Sequence, residues 1–234
     1  MLKKRKTLIA FLALVMSVSG LYAQQAGQFT LGGRVGGALG FSESANFGNT
    51  LHTRYFQYHS RPSRDPELNF AFAIYGNYAI TSRISLQAEL NFMISQGYEL
   101  FFPRPAGSTT VTSREVDVNY SSLDIPLLLR INFLDSPAMF GIQAGPHVSI
   151  PLGRLEVYAD YMGYIARYDI ATFATFGATA GLFGGLQAGP GRVIGDLRFI
   201  FDFTDLEVRS PAGGRETAMQ RRALAFMIGY EISF

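Results

Sequence analysis

The last part of the chain, residues 222–234, alternates strictly between large apolar side chains and small or polar ones. One set of alternate positions holds Leu224, Phe226, Ile228, Tyr230, Ile232 and Phe234. The other set holds Ala223, Ala225, Met227, Gly229, Glu231 and Ser233. Because successive side chains of a β-strand point to opposite faces, this period of two predicts a strand with one complete apolar face.

The same alternation recurs along the chain and predicts eight strands in all. Residues 69–80 and 83–95 both alternate and are joined by a short turn, so they are expected to form a β-hairpin. The other alternating segments are 28–41, 114–133, 138–150, 175–188, 192–206 and 222–234. A chain with this pattern and no other long periodic segment is expected to be all-β.

The segment 114–133 changes parity within its length. Val116, Val118 and Tyr120 lie at even positions, whereas the apolar residues from Leu123 onward lie at odd positions. A one-residue β-bulge near Ser121 and Ser122 would restore a single apolar face, because an extra residue reverses the alternation. We therefore predict that the three earlier residues share the apolar face of the later ones.

The connections between the predicted strands alternate in length. Short links near 81–83, 134–137 and 189–192 follow the second, fourth and sixth strands. The other four connections are longer and cover about 42–66, 98–114, 151–172 and 208–217. This alternation is typical of an up-and-down antiparallel barrel with short turns at one end and long loops at the other.

The chemistry of the two faces favours a membrane barrel over a soluble barrel of the lipocalin type. All the large aromatic and branched residues lie on one face, as a lipid-facing surface requires. The opposite face mixes charges with Gly, Ala, Ser and Asn, which suits a narrow lumen. We predict an eight-stranded up-and-down antiparallel transmembrane β-barrel of the outer membrane, with a lumen ion-pair network of Arg83, Glu89, Asp117, Asp124, Arg130, Asp196, Arg198, Asp202 and Glu231.

The N-terminal residues have the three parts of a secretory signal peptide. A basic start is followed by an apolar stretch from Leu8 and by a small-residue cleavage site after Ala23. We therefore divide the chain into a signal peptide, 1–23, and a barrel domain, 24–234. The expected location is the outer membrane, after cleavage near Ala23.

Composition and charge argue against several classes of function. The full chain has a formal charge of +2, and loss of the four cations at positions 3–6 changes it to −2, which gives no support for nucleic-acid binding. There is no cysteine, so disulfides, thiol chemistry and cysteine-bound zinc are excluded. His52 and His59 have no further ligand at metal-binding spacing, and no metal or cofactor is expected.

Residues 120–133, YSSLDIPLLLRINF, resemble the PorT-type outer-membrane β-barrel family. Tyr120, Asp124, Pro126 and Arg130, with the leucines between them, match its tyrosine-led, acidic-Ile-Pro-Leu-Leu-Leu-basic strand. The segments 195–206 and 228–234 resemble its Asp-x-Arg-aromatic strand and its Gly-Tyr-x-x-x-Phe ending. The resemblance implies a barrel in the outer membrane of a Gram-negative bacterium, and some members are accessory parts of a protein-secretion apparatus.

Two further sets of residues are candidates for contacts with other molecules. The first long loop mixes aromatic residues with arginines, a combination enriched at contact surfaces, and its candidate contact residues are Arg54, Tyr55, Phe56, Tyr58, Arg61 and Arg64. The chain ends on an alternating aromatic pattern that resembles the signal read by outer-membrane assembly machinery, carried by Tyr230, Ile232 and Phe234.

The sequence thus predicts a structural or protein-interaction role, as an accessory of secretion or envelope assembly, and no enzymatic activity. Its expected partners are outer-membrane lipid and lipopolysaccharide, the assembly machinery and other envelope or secretion proteins. One alternative is a small outer-membrane channel, although an eight-stranded barrel is only wide enough for its own side chains. The other is a lipid-modifying enzyme built on His147 and Ser149, with Glu156 or Asp160 as the acid.

Overall fold

The computed structural model describes residues 26–41, 63–103, 113–134, 138–159, 163–209 and 214–234. The predicted signal peptide and its end at Ala23 lie outside these residues. Within them, no helix is both long and apolar enough to cross a membrane. The described strands are β1 (Phe29–Gly40), β2 (Ser63–Asp65), β3 (Glu67–Ala79), β4 (Ile84–Phe102), β5 (Arg114–Leu134), β6 (Ala138–Ala159), β7 (Gly163–Asp169), β8 (Thr175–Ala188), β9 (Gly191–Asp202), β10 (Leu206–Arg209), β11 (Arg215–Met219) and β12 (Arg222–Ser233).

Eight long strands close into one antiparallel barrel, which confirms the predicted fold class. Around the ring the order is β1, β3, β4, β5, β6, β8, β9 and β12. The terminal strand β12 closes the ring by pairing with β1, from Thr30 opposite Ser233 to Gly40 opposite Ala223. Closure pairs the backbone groups that an open sheet would leave exposed at its edges.

Large apolar side chains cover the outer surface of the barrel. Val35, Phe70, Ile74, Phe226 and Ile228 are each between 52% and 63% exposed. Soluble proteins rarely expose a continuous apolar surface of this extent, whereas a membrane barrel presents one to lipid. With twelve residues and a tilt of about 40°, β1 spans ~30 Å, the thickness of a bilayer's hydrocarbon core.

The two ends of the barrel differ in the length of their connections. At the end where β1 begins and β12 finishes, β3 and β4, β5 and β6, and β8 and β9 follow each other within four residues. We call this the turn end, and the opposite end, with the longer connections, the loop end. In outer-membrane barrels the short turns face the periplasm and the longer loops face the cell exterior.

Three neighbouring strands continue beyond the barrel at the loop end. β4, β5 and β6 have 19, 21 and 22 residues, so β5 rises ~20 Å higher than β1. β2 pairs with β4, and β7 pairs with β6. The hairpin β10–β11 joins them through a bridge between Ile170 and Val208. We call this whole part the extension.

The extension has an apolar core of its own. Fourteen buried residues form this core: Tyr98, Leu100, Phe102, Val116, Val118, Tyr120, Leu155, Val157, Ala159, Tyr168, Leu206, Val208, Ala218 and Met219. The hydroxyl of Tyr98 donates a hydrogen bond to the carbonyl of Ala218, 3.1 Å away, and so joins the hairpin to the wall formed by β4. The extension therefore packs as a small β-sandwich over the loop end of the lumen.

The bulge predicted near Ser121 and Ser122 is wrong, because burial along β5 alternates without a break through these residues. Every even-numbered residue from Val116 to Asn132 is buried. Val116, Val118 and Tyr120 consequently point inward, into the core of the extension, and not toward lipid as predicted. The parity change in the sequence marks the height at which the inside of the structure changes from polar to apolar.

At this height the irregularities lie instead on the two strands beside β5, whereas β5 itself has a shift only near the turn end, between Asn132 and Leu134. In β4 the pairing shifts by one residue between Met93 and Gln96, and Ser95 there adopts a positive φ of 55°. In β6 the pairing shifts opposite Asn119 and Ser121. A bulge bends a strand and increases its twist, and these two lie where the walls of the barrel pass into the extension.

Candidate functional site

The lumen of the barrel holds a balanced set of buried charges. Within the described residues, five acids and five arginines are buried inside the barrel: Glu89, Asp124, Asp196, Asp202 and Glu231, with Arg34, Arg130, Arg192, Arg198 and Arg221. Equal numbers are expected, because a buried charge without a partner is strongly unfavourable. These residues form three clusters along the barrel axis, which we call the turn-end, middle and loop-end clusters.

The middle cluster consists of two arginines and two carboxylates that neutralise each other. Arg198 donates to Asp196 at 2.7 Å and to Glu89 at 2.9 Å. Arg34, on the glycine-rich strand β1, donates to Asp196 and also to Glu89. The four side chains come from three strands, are all buried and bond to one another across the lumen, so this cluster closes the lumen at its height.

The loop-end cluster is organised around Arg221. This residue lies between β11 and β12, and its guanidinium group reaches into the barrel. It donates to Asp124 at 2.8 Å, to Asp202 at 3.0 Å and to the side-chain oxygen of Gln96 at 2.6 Å. One arginine therefore connects β4, β5 and β9 directly below the core of the extension.

His147 also belongs to the loop-end cluster. Its Nε2 lies 2.7 Å from Asp202 and 3.1 Å from the guanidinium group of Arg221. Its Nδ1 lies 3.1 Å from the hydroxyl of Thr179. The acid beside the histidine is thus Asp202 from β9, whereas Glu156 pairs with Arg167 on the surface of the extension.

Ser149 is fully buried two residues after His147 on the same strand. Both side chains face inward, and the apolar core of the extension covers this end of the lumen. A nucleophile needs a base within hydrogen-bond reach and a path for the substrate. In the described part of the chain, the two ring nitrogens of His147 contact other groups than Ser149.

The turn-end cluster is more loosely paired than the other two. Arg130 and Arg192 approach opposite oxygens of Glu231 at 3.7 Å and 3.9 Å. Glu231 also accepts a hydrogen bond from the hydroxyl of Tyr75 at 3.0 Å. Arg130 in addition donates to the side-chain oxygen of Gln87 at 2.9 Å.

The structure places seven of the nine residues of the predicted ion-pair network in these three clusters. The other two are corrections to the prediction. Arg83 is exposed in the turn before β4, because the hairpin loop is one residue longer than its pattern indicated. Asp117 lies on the outer face of the extension, because its neighbours on β5 fill the core instead.

The sequence pattern did not predict three arginines of the network. Arg34 lies among glycines on β1, Arg192 directly follows the turn before β9, and Arg221 precedes the last strand. A signal for them was present, since the predicted network had six acids and only three arginines. Such an imbalance inside a closed barrel indicates missing cations.

The other predicted contact residues are described only in part. Arg54, Tyr55, Phe56, Tyr58 and Arg61 lie outside the described residues, as do His52 and His59. The backbone of Arg64 belongs to β2 and pairs with Leu100 on the edge of the extension. The residues Tyr230, Ile232 and Phe234 all lie on the outer surface near the turn end.

The outer face of the extension carries exposed ion pairs. Arg154 lies 2.8 Å from Asp169, and Arg167 lies 2.9 Å from Glu156. The hydroxyl of Tyr158 donates to Glu156 at 2.9 Å, and this bond raises the pKa of Tyr158 above its ordinary value. No group of three or more potential metal ligands occurs within the described residues.

Comparisons with solved structures found several similar outer-membrane proteins. The outer membrane protein OprG from Pseudomonas aeruginosa is 10% identical, with 91% of this chain and 98% of that chain covered and a TM-score of 0.53. The attachment invasion locus protein Ail of Yersinia pestis is 8% identical, with 89% and 100% covered and a TM-score of 0.40. Neisserial surface protein A is 12% identical, with 89% and 99% covered and a TM-score of 0.42.

At these low identities the similarity to OprG bears on the fold alone. Comparison with the curated proteins gave no significant match. The sequence matches the family described as outer membrane protein beta-barrel domain over residues 22–207, which is most of the chain. Together with the closed barrel and its apolar outer surface, this match shows that the chain belongs to the outer membrane protein beta-barrel domain family.

Proposed function

We propose that this outer-membrane barrel is a closed scaffold whose extension binds another protein of the cell envelope. The observation that carries the proposal is the packed core of fourteen buried residues above the membrane part of the barrel. A rigid extension at one end of the barrel suits a protein that presents a binding surface, because a preorganised surface loses less entropy on association. This gives the protein a structural or interaction role.

The filled lumen favours this role over that of a channel. The middle cluster occupies the barrel at one height, and the core of the extension lies above the loop-end cluster. Leu100, Val118 and Leu155 in that core have no exposed surface. An ion moving along the axis would have to break buried ion pairs and then cross an apolar layer, and both steps are costly.

The same arrangement weakens the case for a lipid-modifying enzyme. His147 is held by Asp202, Thr179 and Arg221 below the core of the extension. A lipid substrate would need access to this buried group from the membrane or from the loop end. A positioning role for His147 within the ion-pair network is sufficient to explain its contacts, and we propose no enzymatic activity.

More specifically, we propose that the protein belongs to the PorT-type family and has an accessory role in protein secretion or envelope assembly. Its support is the motif at 120–133, whose polar members Asp124 and Arg130 lie inside the barrel and join the ion-pair clusters. We include in the proposal the signal peptide ending at Ala23, recognition of the C-terminal residues by assembly machinery, and contact with lipid and lipopolysaccharide.

Native purification from outer membranes in a mild detergent tests the interaction role. We expect a particle larger than the monomer, with the same partner protein in independent preparations. The double variant Arg54→Ala and Tyr55→Ala should reduce recovery of the partner. The control variant Arg83→Ala, which removes an exposed charge at the turn end, should leave it unchanged. A bare monomer in every preparation would contradict the proposal.

Planar bilayers test the closed lumen separately. We expect the purified wild-type protein to insert and to show no stepwise conductance above the background of the bilayer. Insertion can be checked on the same sample by its folded, heat-modifiable mobility on a gel. Reproducible conductance steps that change on substitution of Arg198 would instead support the channel alternative, because that side chain lies in the middle cluster.

A further inference from the structure

We propose that the turn-end cluster binds a small oxyanion, a carboxylate or phosphate, through Arg130. This site lies at the opposite end of the barrel from the extension and is independent of the role proposed above. Arg130 is almost completely buried but, within the described part of the chain, forms few bonds for a buried arginine. Its ion-pair distance of 3.7 Å to Glu231 is too long for a direct hydrogen bond.

Three other lumen arginines contact carboxylates more closely than Arg130 does, although Nε of Arg34 and of Arg221 also has no hydrogen-bond partner among the described residues. Arg34 and Arg198 each bond to both carboxylates of the middle cluster. Arg221 likewise bonds to two carboxylates in the loop-end cluster. Among the residues that the structure describes, Arg130 makes a single close hydrogen bond, to the neutral side chain of Gln87 at 2.9 Å. A guanidinium group has five N–H donors, so most of its capacity is unused.

The unused donors of Arg130 lie together on one edge of its guanidinium group. The bond to Gln87 and the approach to Glu231 both use Nη1. Nε is buried and has no hydrogen-bond partner among the described residues. The ring of Phe183 lies 3.8 Å from the guanidinium carbon and holds its plane in place. The edge formed by Nε and Nη2 is the one that binds two oxygens of a carboxylate or phosphate in parallel.

The charge of the surroundings favours an anion. Arg192 lies 3.9 Å from the second oxygen of Glu231, so two guanidinium groups approach the same carboxylate. The loop-end cluster has the opposite composition, with two carboxylates beside Arg221 and His147. Six residues along β5 separate Asp124 from Arg130, a distance of ~20 Å. The two clusters therefore cannot pair with each other directly.

Two polar side chains lie opposite Arg130 on the neighbouring strands. Ser85 and Gln143 each have a buried oxygen without a hydrogen-bond partner among the described residues. The hydroxyl of Ser85 can donate to an anion, whereas the amide oxygen of Gln143 only accepts and would bind a water molecule beside it. Arg192 is the second residue of β9 and keeps 11% of its side chain exposed, so the cluster lies close to the turn end. A small ion entering from the periplasmic side would reach Arg130 without crossing the middle cluster.

Thermal unfolding in increasing inorganic phosphate, at constant ionic strength set with sodium chloride, tests the site. A ligand that binds only the folded state raises the unfolding midpoint as its concentration rises. We expect this rise for the wild type and for the control variant Arg154→Lys. The variant Arg130→Lys keeps the charge but loses the two-donor edge, so its apparent affinity should be weaker by about tenfold or more. An equal rise in Arg130→Lys would overturn the proposal.

A second measurement keeps the test decisive if Arg130→Lys does not fold. The wild-type protein in detergent should broaden the ³¹P resonance of added phosphate, and formate should reverse the broadening by competition. Formate and phosphate share the pair of oxygens that the edge of Arg130 recognises, whereas chloride does not. Broadening that chloride reverses as well as formate, or no broadening at all, would show that the cluster holds no oxyanion site.

Discussion

Replacing Arg198 by leucine is expected to destabilise the folded barrel by about 3–5 kcal/mol. The side chain is 1% exposed and donates to both carboxylates of the middle cluster. Without it, Glu89 and Asp196 face Arg34 alone, and one negative charge is left buried without a partner. Urea unfolding of the protein refolded in lipid vesicles measures the change, and heat-modifiable gel mobility reports the folded fraction.

The matched control is Arg154→Leu on the outer face of the extension. Arg154 and Asp169 also form an ion pair, at 2.8 Å, but their side chains are 59% and 61% exposed. Exposed pairs contribute only ~0–1 kcal/mol, so this variant should unfold almost as the wild type does. Equal losses in the two variants would contradict the role that we give to burial.

A compensating variant separates charge from packing. Combining Arg198→Met with Asp196→Asn leaves Arg34 opposite Glu89, so the middle cluster is neutral again. We expect the combination to recover part of the stability lost in Arg198→Met alone, which is a coupling energy between two residues in contact. If the double variant is as unstable as the sum of the single ones, loss of shape and not of charge balance explains the effect.

The barrel itself could be predicted from the sequence because its strands separate two very different surroundings. Lipid outside and a narrow polar lumen inside require opposite side chains at alternate positions, as in β12 with Phe226 and Ile228 outside and Met227 inside. The strict alternation of short and long links then gives the up-and-down order. These signals are local, so a single sequence contains them.

The extension could not be predicted in the same way, because the inward-facing side chains change from polar to apolar where the strands leave the membrane. On β5, Asp124 and Arg130 face inward within the membrane part, whereas Val116 and Val118 face inward above it. Above the membrane the outside is water, and apolar side chains then belong inside, as in a soluble protein. The sequence records this reversal as a change of parity, which a bulge would also produce.

The sequence predicted that the lumen holds an ion-pair network, but it did not predict all of the residues. Every residue placed correctly lies on a strand whose alternation is regular, such as Asp196 and Arg198 on β9. Arg34 was missed because the glycines around it weaken the alternation of β1. Arg221 was missed because it precedes the last strand, and only the folded chain shows that its side chain turns into the barrel.

Replacing Arg221 by methionine is expected to open the extension and leave the barrel closed. Arg221 ties the segment between β11 and β12 to Asp124 and Asp202, and its side chain is 2% exposed. Losing one partner of such a buried group costs at least about 3 kcal/mol. Since each 1.4 kcal/mol is a factor of ten, the open form of the hairpin β10–β11 should become about a hundredfold more populated.

Hydrogen exchange followed by mass spectrometry distinguishes this local opening from general unfolding. In Arg221→Met, amides of residues 206–209 and 215–219 should exchange faster, whereas those of β12 should keep their protection because this strand pairs with both β1 and β9. The control Arg215→Met lies on the same hairpin, where Arg215 is 69% exposed and 3.4 Å from Glu207, and it should change little. Faster exchange throughout the barrel would show that Arg221 stabilises the whole fold; unchanged exchange in the hairpin would show that the core of the extension holds it without this arginine. Faster exchange that is confined to the hairpin is the result expected if this one buried arginine holds the extension on the barrel.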